Sequence, residues 1–259
     1  MIQIDNYAYK SKLINVDPKG KLIFSITILS ICLLMNSPSV GILTIFIMGL
    51  ITINTSGISM MKYLKLLSIP LIFLIIGTIT VMINRYDTGQ SILMGVHLGK
   101  YQYGMDKVSL FKGITLITRA LGSVSAMYFL ALNTPMTELF EFLRGTKLPN
   151  LVVSLMELIY RFIFIIWEEA SNMRVAQESR LGNINFKTAV RSTGEMISML
   201  FIRAYKRADR VFMSLESRGY NGEVKFFKEE YNSAMSLYLG TCIVSLILIG
   251  AALVEKIIF

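Results

Sequence analysis

Two arginines with nearly identical neighbours are the residues of this chain best suited to hold another protein. Residues 178–180 read Glu-Ser-Arg, and residues 216–218 read Glu-Ser-Arg again. Each triplet follows a long run compatible with a helix, and a glycine follows within two residues, as Gly182 and as Gly219. A cation in the last turn and a glycine after it are typical of a helix C-terminus. The sequence therefore predicts two polar helix ends, each closed by a glycine.

The chemistry that these triplets offer is recognition. Arginine carries five N–H donors in a planar fork and stays charged, so Arg180 and Arg218 could hold an acidic or carbonyl-lined groove. The glutamates could orient these arginines or meet basic groups on a partner, and the small serines would allow close approach. The alternative is that both arginines only complement a helix dipole, which contributes less than about 1 kcal/mol. The candidate residues are Glu178, Ser179 and Arg180 in the first triplet and Glu216, Ser217, Arg218 and Gly219 in the second.

No pattern in the sequence indicates catalysis or a metal site. His97 is the single histidine and lies among glycines in a polar segment, whereas a metal site needs several ligands at defined spacing. The chain has no G-x-x-x-x-G-K-[ST] loop, so it is not expected to bind ATP itself. Cys32, Cys242 and most of the 16 methionines lie in apolar runs and are expected to pack. We expect no catalytic residue, no metal and no cofactor bound by this chain.

Composition indicates a membrane protein. The chain has 259 residues, of which 54% are hydrophobic and only 17% are charged, whereas a soluble domain is about one quarter charged. The formal charge of +9 has two explanations, a nucleic-acid surface or cytoplasmic Lys and Arg flanking membrane spans. The distribution of charge along the chain decides between them.

Five apolar segments are predicted to cross the membrane. They are residues 22–35, 40–53, 63–83, 108–131 and 234–253, and the first two form a helical hairpin. With the N-terminus inside, the inner segments hold twenty Lys and Arg residues and the outer segments hold four, which satisfies the positive-inside rule. An odd number of spans places the C-terminus outside. Arg119 lies within the fourth span, where we weigh a structural partner and a functional role equally.

The inner segment, residues 133–233, is predicted to be helical. Twelve acids balance its fourteen basic residues to about +2, which argues against nucleic-acid binding. The first helix covers residues 134–146 with Thr134 as N-cap. The second starts at residue 151 and is interpreted as an interfacial or partly buried amphipathic helix, because Glu157 and Arg161 can pair at i, i+4 within it. The third covers residues 185–218, with Arg203, Lys206, Arg207 and Arg210 on its polar face.

The inner segment separates the other predicted parts of the chain. Residues 84–107 are polar and rich in glycine, and they are predicted to form a loop outside the membrane. The expected organisation is an N-terminal membrane region over residues 1–131, a cytoplasmic coupling region over residues 132–233, and a final span with a short tail over residues 234–259. The predicted fold class is an all-α integral membrane protein with three cytoplasmic amphipathic helices.

The chain resembles the transmembrane T component of energy-coupling-factor (ECF) transporters, the EcfT/CbiQ family. That family ends two cytoplasmic coupling helices in Ala-Arg-Gly-type motifs, matched here by residues 179–181 and 217–219. Serine replaces alanine in both motifs, and Leu181 replaces the first glycine. The likeness extends to Thr134-Pro135, Leu148-Pro149, residues 168–170 and residues 176–178. The stretch from Ile4 to Ser11, followed by Asp17-Pro18, is similar to the cobalt-type branch.

The resemblance implies a mechanical role. A T component binds no substrate and hydrolyses nothing, and it connects a membrane-embedded substrate-binding S component to two ABC ATPase subunits that hydrolyse ATP. Each coupling-helix tip sits in a groove on one ATPase, which assigns the two triplets to that contact. The expected partners are therefore the two ATPases, the S component and the lipid bilayer of a prokaryotic cell membrane, and not nucleic acid. The expected substrate is cobalt ion, with nickel, a vitamin such as biotin, a membrane scaffold or a membrane enzyme as alternatives.

Overall fold

The computed structural model describes residues 2–86, 94–98, 101–220 and 231–258, and most of them are helical. The helices are α1 (Ile2–Tyr9), α2 (Pro18–Leu34), α3 (Pro38–Ser56), α4 (Met60–Met82), α5 (Lys107–Asn133), α6 (Met136–Arg144), α7 (Asn150–Ser179), α8 (Phe186–Glu216) and α9 (Met235–Ile258). Three short strands are β1 (Asn84–Tyr86), β2 (Met94–Leu98) and β3 (Tyr101–Met105). The predicted fold class, an all-α membrane protein, is confirmed.

Five of the described helices are long and apolar enough to cross a membrane, but they are not the five predicted segments. They are α3, α4, α5, α7 and α9. The helix α7 has 30 residues and joins this set despite its interpretation as an interfacial helix. The helix α2 has 17 residues and is about 25 Å long at 1.5 Å per residue, which lies at the lower limit of the length of a span. Its assignment as a span within a helical hairpin stays a prediction.

The chain forms two compact units. The first unit comprises Met1–Leu139 and Glu229–Phe259, and the second comprises Phe140–Lys228. The last helix, α9, thus packs with the N-terminal helices although almost one hundred residues separate it from them. The predicted location of each part relative to a membrane stays a prediction.

The helix α5 is the centre of the first unit. It packs along α3, α2 and α4, and α2 also packs against α9. Buried apolar side chains from these helices form the core, where the rings of Phe24 and Phe129 meet edge to face at 4.9 Å between centroids. Gly41 and Gly122 allow α3 and α5 to approach closely, because a Cβ at Gly41 would collide with the backbone of Thr118. Small residues at such crossings are typical of membrane helices.

A buried polar network joins the N-terminal segment to the ends of α5 and α6. The Lys21 Nζ donates to Glu138 Oε2 at 2.7 Å and to the Asn133 carbonyl oxygen at 3.3 Å. The hydroxyl of Ser11 donates to Asn133 Oδ1 at 2.7 Å. All four side chains are buried, and Lys21 is 0% exposed. Buried charges are tolerated when they are paired and hydrogen-bonded, which is the case here.

The segment predicted as a loop, residues 84–107, contains a small antiparallel sheet. Its strand order is β1-β3-β2, with Asn84 opposite Gly104 and Leu98 opposite Tyr101. The loop prediction is therefore corrected. The alternation in Tyr101-Gln102-Tyr103 was the available signal, since strands alternate faces and favour tyrosine. His97 lies in β2.

The structure defines the partners of two polar residues, one within α5 and one at its end. Thr134 was predicted as the N-cap of the helix that follows, but it ends α5, and its N–H donates to the Leu130 carbonyl oxygen at 3.0 Å. The next helix begins at Met136, with the Pro135 carbonyl oxygen accepting from Glu138 N–H. Within α5, the Arg119 guanidinium donates to Asn36 Oδ1 at 2.7 Å, so this charge has a polar neighbour.

Candidate functional site

The helices α7 and α8 lie antiparallel in the second unit. Gln177 near the end of α7 contacts Ser192 near the start of α8, and Glu169 contacts Arg207 further along. We call residues 178–182 the first tip and residues 216–220 the second tip. The first tip lies near the start of α8, three residues before it, and the second tip lies at its end. Because α8 has 31 residues, it is about 46 Å long and separates the two tips by most of this length.

The first tip closes α7 with a tight reversal of the backbone. Arg180 N–H donates to the Gln177 carbonyl oxygen at 3.1 Å, Leu181 N–H to that of Glu178 at 3.0 Å, and Gly182 N–H to that of Gln177 at 2.8 Å. Leu181 has a φ of 61°, in the left-handed region. This pattern satisfies carbonyl groups that have no partner within the helix.

At the second tip, each of these hydrogen bonds has a counterpart at the equivalent position. Gly219 N–H donates to the Glu216 carbonyl oxygen at 2.9 Å and Tyr220 N–H to that of Leu215 at 3.0 Å. Gly219 has a φ of 77°. Gly219 therefore corresponds to Leu181, and Tyr220 corresponds to Gly182. The predicted glycine cap is found at the second tip, whereas at the first tip the left-handed residue is a leucine.

The two arginines are exposed at equivalent places. Arg180 caps α7, and Arg218 lies two residues beyond the end of α8. Within the part of the chain that the structure describes, neither guanidinium has a hydrogen-bond or ion-pair partner. Both forks are thus available to a groove on another protein.

The serines and glutamates of the tips differ in their availability. The Ser179 hydroxyl donates to the Val175 carbonyl oxygen at 2.9 Å, and the Ser217 hydroxyl donates to that of Ser214 at 3.0 Å. Their donors are therefore used within their own helices, and their contribution to a contact is small size. Glu178 pairs with Arg174 at 3.0 Å instead of orienting Arg180, and this pair is exposed to solvent.

Gln177 is a site residue that the sequence reasoning did not single out. Its Nε2 donates to the Ser192 carbonyl oxygen at 2.8 Å, and the Ser192 hydroxyl donates to the Gly182 carbonyl oxygen at 3.0 Å. These two bonds join the first tip to the second turn of α8. A side chain on Gly182 would meet Ser192 Oγ at 2.9 Å, so glycine is needed here for close packing. The sequence contains a signal for this role, because a polar residue, Gln177, stands where the otherwise similar second tip has the apolar Leu215.

Two ion pairs within the second unit correct the sequence predictions. Glu157 pairs with Arg144 of α6 at 2.8 Å, and not with Arg161 one turn away. Arg207 was placed on the polar face of its helix, but it is half buried, pairs with Glu169 at 3.2 Å and lies over the ring of Phe162. Both pairs fix α7 against a neighbouring helix.

Comparison with known proteins identifies the family. Residues 9–227 match the CbiQ family, described as cobalt transport protein. The chain is 34% identical to an uncharacterized protein of Methanocaldococcus jannaschii over 98% of its own length and 93% of the relative. It is 26% identical to the cobalt transport protein CbiQ of Salmonella typhimurium, over 86% of its own length and 99% of the relative.

A second group of relatives carries a different name. The chain is 27% identical to the energy-coupling factor transporter transmembrane protein EcfT of Staphylococcus aureus, over 82% of its own length and 80% of the relative. The described helices, among them five that are long and apolar enough to span a membrane, agree with these names. The chain is a multi-pass membrane protein and belongs to the CbiQ family, the transmembrane T components of ECF-type transporters.

Proposed function

We propose that this chain couples the motion of two ATPase subunits to a membrane-embedded S component. The observation that carries the proposal is the pair of tips, which present the same backbone turn and an exposed arginine near opposite ends of α8. A single turn of this kind would be an ordinary helix end. Two equivalent ends, separated by most of the length of a 31-residue helix, suit one contact on each of two separate subunits.

The chemistry of the tips supports a contact that must persist while its partners move. A guanidinium stays charged and can form two parallel hydrogen bonds with a carboxylate, so the contact resists a change of angle better than a single point charge. The two bonds through Ser192 and the ion pair between Glu169 and Arg207 hold α7 against α8. Force applied at either tip would therefore move the two helices together.

We base the proposed substrate and cofactor on the names of the relatives, and the proposed orientation on the distribution of charge. The names of the relatives favour cobalt ion as the substrate, carried by the S component, with ATP bound and hydrolysed by the ATPases and no cofactor held by this chain. The excess of Lys and Arg favours a cytoplasmic N-terminus and cytoplasmic tips, with the C-terminus outside. In this arrangement α7 lies at the membrane interface, because a crossing α7 would carry both tips out of the cytoplasm.

The test is uptake of Co²⁺ and ATP hydrolysis by the co-expressed complex carrying Arg180→Glu, Arg218→Glu or both. Reversal of charge places a carboxylate against an acidic or carbonyl-lined groove, so each single change should reduce uptake at least tenfold. The double change should abolish uptake and separate the ATPases from the membrane fraction. Uptake of Ni²⁺ and biotin, measured in parallel, would identify the substrate.

Arg203→Glu is the matched control. Arg203 is an exposed arginine of α8 far from both tips, so this change alters the net charge equally and should leave uptake within twofold of the unmodified chain. Normal uptake in the double variant would refute the coupling role of the tips. Equal loss in the Arg203→Glu control would show that the tip variants act through overall charge.

A further inference from the structure

A cavity of about 560 Å³ lies between the first half of α7 and the second half of α8. Four arginines line it, namely Arg161 from α7, Arg207 and Arg210 from α8, and Arg218 from the second tip. The cavity belongs entirely to the second unit. Of its lining residues, the coupling function uses Arg218 of the second tip, and the arginines of α7 and α8 have no role in it.

Helical spacing brings these arginines together. Positions 207, 210, 211, 214, 215 and 218 recur at intervals of three and four, so they share one face of α8 and its C-terminal extension. On α7 the same holds for positions 151, 154, 155, 158 and 161. The α8 face carries three arginines, two apolar residues and a serine, the α7 face carries three leucines, a serine and one arginine, and the antiparallel pairing sets the two faces opposite each other.

Among the described residues, the arginines that line the cavity outnumber the acids. Glu157 is the one acidic residue in this described lining; its carboxylate is paired with Arg144, and it also attracts Arg161. Arg207 has Glu169 as partner. In the part of the chain that the structure describes, Arg161 and Arg210 form no ion pair and remain available to an anion, whereas Arg218 belongs to the second tip.

Apart from Ser154, Ser214 and Tyr220, the other walls of the cavity are apolar, which restricts the kind of anion. Leucine and valine side chains from both helices line it, contributed by Leu151, Leu155, Leu158, Val211 and Leu215. Next to it, α7 exposes Ile159, Ile163 and Trp167, the last with 64% of its surface accessible. Exposed tryptophan and aliphatic residues beside clustered arginines are typical of a helix at the lipid headgroup level.

We propose that this cavity binds the phosphate group of an anionic phospholipid, with the acyl chains against its leucine walls. Arginine forks match phosphate oxygens bidentately, and anionic headgroups attract basic segments at a membrane surface. Free phosphate shares the charged part of this chemistry but would leave the apolar walls unused. The proposal does not depend on contact with an ATPase, because it concerns the chain in the bilayer.

The experiment measures lipid binding to the purified full chain by native mass spectrometry after removal of endogenous lipid. The probes are phosphatidylglycerol, phosphatidylcholine and inorganic phosphate at matched concentrations. Phosphatidylcholine carries the same phosphodiester with a compensating cation, so phosphatidylglycerol should bind at least tenfold more tightly. The variant is Arg161→Gln with Arg210→Gln, which avoids the tip arginine, and the control is Arg203→Gln. All three residues are exposed, so folding should be unaffected.

The expected result is loss of the preference for phosphatidylglycerol in the double variant and its retention in Arg203→Gln. The same preference in both would overturn the proposal, because annular lipid would explain it. Inorganic phosphate binding as tightly as phosphatidylglycerol would overturn the assignment to lipid. Unchanged lipid preference combined with loss of ATPase co-purification in the double variant would identify the cavity as a protein contact and also refute the proposal.

Discussion

Leu181 is a leucine in a backbone conformation that glycine adopts freely. The side chain is 66% exposed, so little packing compensates for a left-handed conformation that costs roughly 1–2 kcal/mol in an L-residue. At the second tip, Gly219 occupies the equivalent position without this cost, and a Cβ there would find open space. The two tips have the same hydrogen bonds but different intrinsic stability.

The difference predicts opposite effects of two substitutions. Leu181→Gly should stabilise the end of α7 by about 0.5–1 kcal/mol, since relief of strain exceeds the added flexibility of glycine in the unfolded chain. Gly219→Ala should destabilise the end of α8 by about 1 kcal/mol. Hydrogen exchange of the Gly182 and Tyr220 amides measures both, because these amides close the two turns. A similar change in exchange at both tips would contradict this account.

The sequence predicts the bounds of the helices more accurately than the contacts between them. The third inner helix was expected over residues 185–218 and is observed as Phe186–Glu216, because its periodicity and its end signals are local. The ion pairs of Glu157 and Arg207 were not predicted, because their partners lie 13 and 38 residues away. Helical periodicity identifies which residues share a face, but not which distant helix covers that face.

The buried ion pair of Lys21 and Glu138 is predicted to stabilise the packing of the helices in the first unit. Lys21→Met should destabilise the first unit by about 3–5 kcal/mol, because the Glu138 carboxylate would stay buried without its cation. Adding Glu138→Leu should restore most of this loss, because both charges are then absent. Thermal unfolding of the detergent-purified chain measures both changes. Lys19→Met is the control, since Lys19 is exposed and should change stability by less than about 0.5 kcal/mol. A double variant as unstable as the single one would show that Lys21 acts through packing.

The arrangement of the whole molecule in the membrane is predicted from charge, and α7 is the element on which it depends. Of the described helices that could span a bilayer, α7 has Glu157 and Arg161 within its apolar stretch, and its two ends lie in the second unit. If α7 crossed the membrane, the first tip and the residues preceding the helix would be on opposite sides. Hydropathy alone does not separate an interfacial helix from a span, whereas the position of its two ends does.

Labelling with a membrane-impermeant maleimide tests this arrangement. Cys32 and Cys242 are replaced by alanine, and single cysteines are introduced as Lys10→Cys, Lys147→Cys, Asn183→Cys and Lys256→Cys, all at exposed positions. In intact cells only Lys256→Cys should react, and the other three should react after permeabilisation. Reaction of Asn183→Cys but not Lys147→Cys in intact cells would show that α7 spans the membrane, and would also place the first tip outside.

The unequal tips have a consequence for the symmetry of the complex. Two identical ATPases form a dimer with a two-fold axis, and rotating that dimer by half a turn gives the same complex. The two tips are not related by such an axis, because the left-handed residue is Leu181 at one tip and Gly219 at the other. Two identical ATPases would therefore bind equivalent surfaces to unequal ends, so one of their two grooves must accept a leucine where the other faces a glycine. A pair of two different ATPases would instead bind the two tips in one orientation only. Exchanging Leu181 and Gly219 between the tips would reverse that orientation.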